Sequence, residues 1–169
     1  MKRMDALSQV NRPELGNSIP VSVFRVFRQF SAHYSEDILG EKGARTVFVH
    51  AGRELGLDIG KQLYTEDLDE YLTRVKKFVY DSNIGILKLI DNIEKPDQMV
   101  LQLGECVTCS GMPNIGKKIC HFEVGLVAGL VQTYVKKHVH AYESKCNANG
   151  DACCEVTVEL NPLENFFDY

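Results

Sequence analysis

Near the C-terminus, Cys120, Glu143, Cys146 and Cys154 follow the pattern C-x22-E-x2-C-x7-C. Three thiols and a carboxylate suit one tetrahedral zinc ion, and a shared ion forces the segments that carry its ligands to converge on one point. The pattern therefore constrains the fold: the chain must turn soon after Cys146 to come back at Cys154, while Cys120 arrives on another element. The six cysteines, Cys106, Cys109, Cys120, Cys146, Cys153 and Cys154, are all confined to the C-terminal part. The N-terminal stretch MKRMDALSQVNRPELG has no apolar core of signal-peptide length, so such clustering favours metal or redox chemistry over a disulfide framework.

At 169 residues the chain can bury a core without metal or disulfide staples, so zinc has a choice of roles. The composition, 44% hydrophobic and 25% charged, is that of a globular protein, and a net charge of -4 gives no electrostatic reason to expect nucleic acid as a partner. No apolar run approaches the ~20 residues that span a bilayer. A cytoplasmic address is the expectation. The expected division is an N-terminal extension (1–17), one domain (18–162) and a short tail (163–169).

Hydrophobic periodicity organises the rest. Ser18 ahead of Pro20 marks a helix start, and Val23, Phe24, Val26, Phe27, Phe30 and Tyr34 recur at helical spacing up to Gly40. Phe24, Phe27, Phe30 and Tyr34 are expected in the core. A second helix is expected from Ala44 to Leu63, where Gly52, Gly56 and Gly60 permit close packing or a kink, and a third from Asp67 to Tyr80, with Arg74, Lys76 and Lys77 on its solvated face. Ile84–Ile90 and Met99–Leu103 read as a hairpin around Glu94–Asp97. After a Gly-rich loop carrying Cys106 and Cys109, the stripe Ile119, Phe122, Leu126, Leu130 and Tyr134 marks a fourth helix with Cys120 in its first turn. His138–Tyr142 and Glu155–Leu160 read as a second hairpin, joined through Asn147, Asn149, Gly150 and Asp151. The predicted class is α+β: an antiparallel sheet of two hairpins covered by about four helices.

Strand geometry tests the metal pattern. Glu143 and Cys146 are three apart and would point to opposite faces of a regular strand, so the strand is expected to end between them and the chain to turn, with Ser144 and Lys145 carrying that change. Cys154 then begins the returning strand, with Cys153 on the opposite face. The helix dipole at Cys120 favours its thiolate. Three thiolates and a carboxylate make a closed shell, as in structural rather than water-activating zinc sites.

These residues resemble a known family. E-C-x2-C at Cys106 and Cys109, C-x4-G-x3-G from Cys120 through Gly125 and Gly129, and E-x2-C-x3-G-D-x2-C from Glu143 to Cys154 are similar to the 4-vinyl reductase domain. Ala51–Gly56, the sequence AGRELG, also fits that family. The resemblance implies a helix-covered antiparallel sheet around an apolar pocket, a homodimer, and a zinc ion on Cys120, Glu143, Cys146 and Cys154. Phenol-type sensor domains and, more distantly, small subunits of the TRAPP vesicle-tethering complex share this architecture. The chain departs from the phenol-type sensors at Ala141, where they carry an aromatic residue, so phenol itself is not implied. Nor is a reductase, because Gly125–Gly129 lies inside an apolar helix and reads as a packing device rather than a dinucleotide fingerprint.

Cys106 and Cys109 stay open between metal ligation, a reversible disulfide and inert thiols near the zinc. His138 and His140 read as a solvated strand edge, His121 as a neighbour of the metal site, and His33 and His50 as helix-surface residues. Three functions follow in order of preference. The first is a stand-alone zinc-containing module binding a hydrophobic or aromatic small molecule, sensory or carrier, with a possible protein partner. The second is an enzyme or accessory protein of tetrapyrrole vinyl-group reduction, and the third a cysteine-based redox-responsive interaction domain.

Overall fold

The computed structural model describes residues 7–90 and 95–161. Two compact units divide the chain, Met1–Ala44 and Arg45–Tyr169. Helix α1 (Val21–Leu63) loses helical geometry at Gly40, whose φ of 72° and ψ of 166° belong to glycine. The break falls where the first expected helix ends.

In the first unit, the Pro20 carbonyl accepts hydrogen bonds from the Val23 and Phe24 amides (3.0 and 3.3 Å), starting the helix. Phe27, Phe30 and Tyr34 are exposed, at 72%, 55% and 59%. That overturns their expected place in the core. They share one stripe with the exposed Val23, Val26 and Ile38, and a single helix encloses no core by itself. Helical periodicity shows that a face is apolar without showing what covers it.

The second unit holds the remainder of α1, α2 (Leu68–Asp81), β1 (Ile86–Ile90), β2 (Gln98–Gly104), α3 (His121–Val135), β3 (His140–Lys145), a 3-10 turn (Asn147–Asn149) and β4 (Cys154–Glu159). The strands form one antiparallel sheet in the order β1-β2-β4-β3. The two hairpins thus join through the β2–β4 pairing, where Leu101 faces Val156 and Leu103 faces Cys154. Of the first expected turn, Glu94 lies outside the described residues, and Pro96 and Asp97 occupy a turn. The expected tail 163–169 also lies outside them.

Each element has a local cause. Asp67 caps α2 by accepting from the Glu70 amide at 2.7 Å. On the solvated face Lys77 pairs with Asp81 at 2.7 Å, the i,i+4 arrangement expected of an exposed helix face. Gly125 and Gly129 of α3 lie against the backbone of α1 at Val49 and Arg53, while Gly52 and Gly56 lie against Phe122 and Leu126. A β-carbon at any of the four would overlap main-chain atoms, so the two helices approach as closely as backbones allow. Arg53 then donates to Gln132 Oε1 (2.7 Å) and to the Val139 carbonyl (3.1 Å), fixing the register. Residues Val124 to Val131 of α3 are buried on every side, as expected for a helix apolar all round.

Candidate functional site

Four segments converge at the N-terminal end of α3. Cys120 is its N-cap residue. The Glu143 side chain reaches that end from β3, its Oε2 accepting from the Cys120 amide at 3.1 Å. The strand does not end after Glu143 as expected: a β-bulge between Glu143 and Lys145 changes its phase, so it runs on to Lys145 and still delivers both Glu143 and Cys146 to the buried side. The loop after Cys146 closes on itself: the Cys146 amide donates to Asp151 Oδ2 (2.9 Å), the Asp151 amide donates back to the Cys146 carbonyl (3.1 Å), and Gly150 takes the left-handed φ of 91° that the turn needs. Cys154 follows at the start of β4, on the same sheet face as Val156 and Val158.

The fourth segment follows β2. Glu105 adopts a left-handed φ of 50°, and the Cys109 and Ser110 amides donate to the Cys106 carbonyl at 3.2 and 2.9 Å. This single turn presents both thiols inward. It is tied to α3 by a buried hydrogen bond from Thr108 to Glu123 at 2.6 Å, two residues that the sequence did not single out.

Cys106, Cys109, Cys120, Cys146 and Cys154 are all buried, while Cys153 is half-buried and stands apart from the donor groups. Two four-donor sets lie within metal-binding reach: Cys120, Glu143, Cys146 and Cys154, whose ligand atoms are all within 4.8 Å of one another, and Cys106, Cys109, Cys120 and Cys154, equally close. In the first set Cys120 Sγ is 3.9 Å from Cys146 Sγ and 3.8 Å from Cys154 Sγ. A zinc ion with Zn–S bonds of about 2.3 Å separates its sulfurs by about 3.8 Å. Glu143 Oε1 is buried and has no hydrogen-bond partner among the described residues. A buried carboxylate oxygen left without a donor is costly, and a cation in the cluster would satisfy it. The donor chemistry and this orphaned oxygen both fit zinc.

Without a cation these groups compete for protons. Burial, reinforced by the Cys146 thiol, pushes the Glu143 carboxyl up to about 9 against the opposing hydrogen bond from the Cys120 amide. Cys120 is pushed far up by its contacts with Cys106, Cys109, Cys146 and Cys154 and by burial. Cys106 and Cys146 are instead held down, chiefly by hydrogen bonding from Cys109.

His140 sits on the exposed strand edge as expected, 3.0 Å from Glu159. A second feature lies at the opposite end of α3. Between α2, α3 and the sheet, Tyr71, Val75, Leu87, Leu101, Leu130 and Tyr134 are among the residues that line a cavity of about 30 Å3. None of the cluster's donors lines it. The Tyr71 hydroxyl turns away to donate to the Leu130 carbonyl at 2.9 Å. The resemblance implies an apolar pocket, but the sequence did not single out these lining residues, because they are of the types that fill any core.

Among the described residues, no helix is long and apolar enough to cross a membrane. Residues 99–160 match the family model of the 4-vinyl reductase domain. The chain is 30% identical over 161 residues to the uncharacterized protein MJ0150 of Methanocaldococcus jannaschii, covering 94% of this chain and 87% of that one. It belongs to the 4-vinyl reductase domain family. In fold it is similar to the phenol-responsive sensory domain of the transcription activator PoxR, solved with phenol, at a TM-score of 0.64 and 13% identity over 85% of this chain and 76% of that one. It is also similar to a trafficking protein particle complex subunit 3 from Naegleria fowleri covalently bound to palmitic acid, at a TM-score of 0.63 and 11% identity over 83% of this chain and 95% of that one. The expected class, a helix-covered antiparallel sheet of this type, is the one observed.

Proposed function

We propose that this chain is a small-molecule-binding module, sensory or carrier, in which zinc on Cys120, Glu143, Cys146 and Cys154 clamps the β3–β4 hairpin against α3. The observation that carries this reading is the build of α3: its N-cap belongs to a buried cluster of thiols and a carboxylate close enough to hold a metal ion, and residues 127–135 supply one wall of an apolar cavity. A bound ion would supply cross-linking charge. The chain's own groups would place it, the Cys120 amide orienting Glu143 and the Asp151 loop orienting Cys146. The ligands named in the two fold neighbours, phenol and palmitic acid, support a hydrophobic ligand here.

The cavity of about 30 Å3 has room for little more than water-sized guests. Benzene was accommodated in an engineered cavity of about 150 Å3, so an aromatic ligand must part α2 from α3. Isothermal titration with phenols, alkylbenzenes and fatty acids tests the reading. Saturable binding with a negative heat-capacity change is expected, weakened by Leu130→Trp. No binding by any of the three classes would overturn it.

The exposed stripe of Val23, Val26, Phe27, Phe30, Tyr34 and Ile38 supports a homodimer with a second copy covering it. Light scattering should give twice the chain mass, and Phe27→Glu should halve it.

A redox-responsive role is the second reading, favoured by the 3.0 Å between Cys109 Sγ and Cys154 Sγ. Peroxide would join these sulfurs, taking two electrons and two protons to form water and removing a metal ligand. Zinc content unchanged after peroxide treatment would dispose of it.

A further inference from the structure

The cluster holds more donors than one tetrahedral ion can use. Cys106, Cys109, Cys120, Cys146, Cys154 and Glu143 all belong to one or other four-donor set, and the two sets share only Cys120 and Cys154. Two four-coordinate ions that share two bridging thiolates require six donors, which is the number present.

We infer that the chain binds two zinc ions in one cluster, bridged by Cys120 and Cys154, with Cys106 and Cys109 completing the shell of one ion and Glu143 and Cys146 that of the other. The inference rests on the zinc site proposed above and adds a second ion to it. The shared edge is already set, since Cys120 Sγ and Cys154 Sγ stand 3.8 Å apart, about the separation that two Zn–S bonds of about 2.3 Å impose. On one side Cys106 Sγ and Cys109 Sγ lie 3.6 and 3.3 Å from Cys120 Sγ. On the other, Cys146 Sγ is 3.9 Å from Cys120 Sγ, and the unpartnered Glu143 Oε1 is buried in the same set.

Seating both ions asks one side chain to move. Cys109 Sγ, now 3.0 Å from Cys154 and 4.0 Å from Cys146, must swing outward, because the bridged geometry lengthens both separations.

Native mass spectrometry and elemental analysis of the zinc-loaded full chain test this directly. Two zinc ions per chain are expected. The double variants Cys106→Ser/Cys109→Ser and Glu143→Gln/Cys146→Ser should each retain one, because each removes the terminal ligands of a different ion. A cobalt(II) titration of the unmodified chain keeps the proposal falsifiable if a variant does not fold. It should break at two equivalents, the second shifting the sulfur-to-cobalt charge-transfer band to lower energy and reducing the paramagnetic signal through the bridging thiolates. One ion per chain, retained by the Cys106/Cys109 variant and lost by the Glu143/Cys146 variant, would overturn the second site and leave the single zinc site standing. One ion lost on Cys109→Ser but kept on Glu143→Gln would overturn it in favour of a single tetrathiolate centre. No bound zinc would overturn both metal readings.

Discussion

The two ends of α3 solve opposite problems with one helix. At the N-terminal end, Cys120 and Glu143 belong to a polar cluster enclosed by protein, whose groups resist sharing the space unless a cation joins them. At the other end, Leu130, Val131 and Tyr134 face an apolar space that needs no partner. The first end depends on composition, since serine in place of cysteine changes its chemistry. The second depends on volume. Stability at one end should therefore respond to chelators and at the other to side-chain size.

The largest expected effect is metal removal. An ion present at a thousandfold its dissociation constant stabilises the fold by about 4 kcal/mol, equivalent to roughly 10 °C in melting temperature for a chain of this size. A chelator or Cys154→Ser should lower the melting temperature by that order in calorimetry, while Cys153→Ser, outside both donor sets, should not. Equal losses for the two variants would break the assignment of Cys154.

Next comes the cavity end. Leu101 is 4% exposed and lines the cavity, so Leu101→Ala should cost about 3 kcal/mol in urea unfolding. Zinc content should be unchanged. Loss of metal in this variant would show that the two ends are not separable.

Between the ends lies the glycine contact. Gly125→Ala places a methyl group against the Val49 carbonyl, and Gly129→Ala one against Arg53. Because both obstacles are backbone, the helices must move apart, at a cost of about 2 kcal/mol for either change. Gly111→Ala, with open space around its β-carbon but a φ of 77°, is the control that separates backbone strain from crowding.

Much of this was legible in the sequence, for reasons that differ by residue. Cys120, Glu143, Cys146 and Cys154 stood out because few side chains bind zinc and their spacing had to fit one convergence point. Gly125 and Gly129 were readable as packing devices because an apolar helix has little other use for them. The phase conflict between Glu143 and Cys146 was legible, but its resolution was not: the spacing predicts that the strand ends there, whereas a bulge carries it on to Lys145. The placement of Cys106 and Cys109 was not legible. Their inward presentation depends on the left-handed Glu105 and on the Thr108–Glu123 hydrogen bond, and neither has a period or a motif. Phe27, Phe30 and Tyr34 were misjudged because an apolar stripe looks the same whether its partner is the chain's own core or another surface.

The smallest expected effect sharpens the comparison most, because it concerns a buried polar thread at the apolar end. The Tyr71 hydroxyl donates to the Leu130 carbonyl at 2.9 Å from a residue only 3% exposed. Tyr71→Phe removes that bond at a cost of about 1 kcal/mol. Its pH dependence separates it from simple packing. Burial pushes the Tyr71 hydroxyl up to about 12, above the value of about 10 that an unfolded chain shows. The folded state therefore holds this proton more tightly, and its contribution is full below about pH 10 and is lost as pH rises towards 12. Urea midpoints of the unmodified chain and of Tyr71→Phe, measured at about pH 9 and about pH 11.5, should converge at the higher pH as the hydroxyl ceases to favour the fold. Because the cluster is common to both proteins, its own response cancels in the difference. A gap between the two that stays constant with pH would mean that Tyr71 acts at this end through its ring alone.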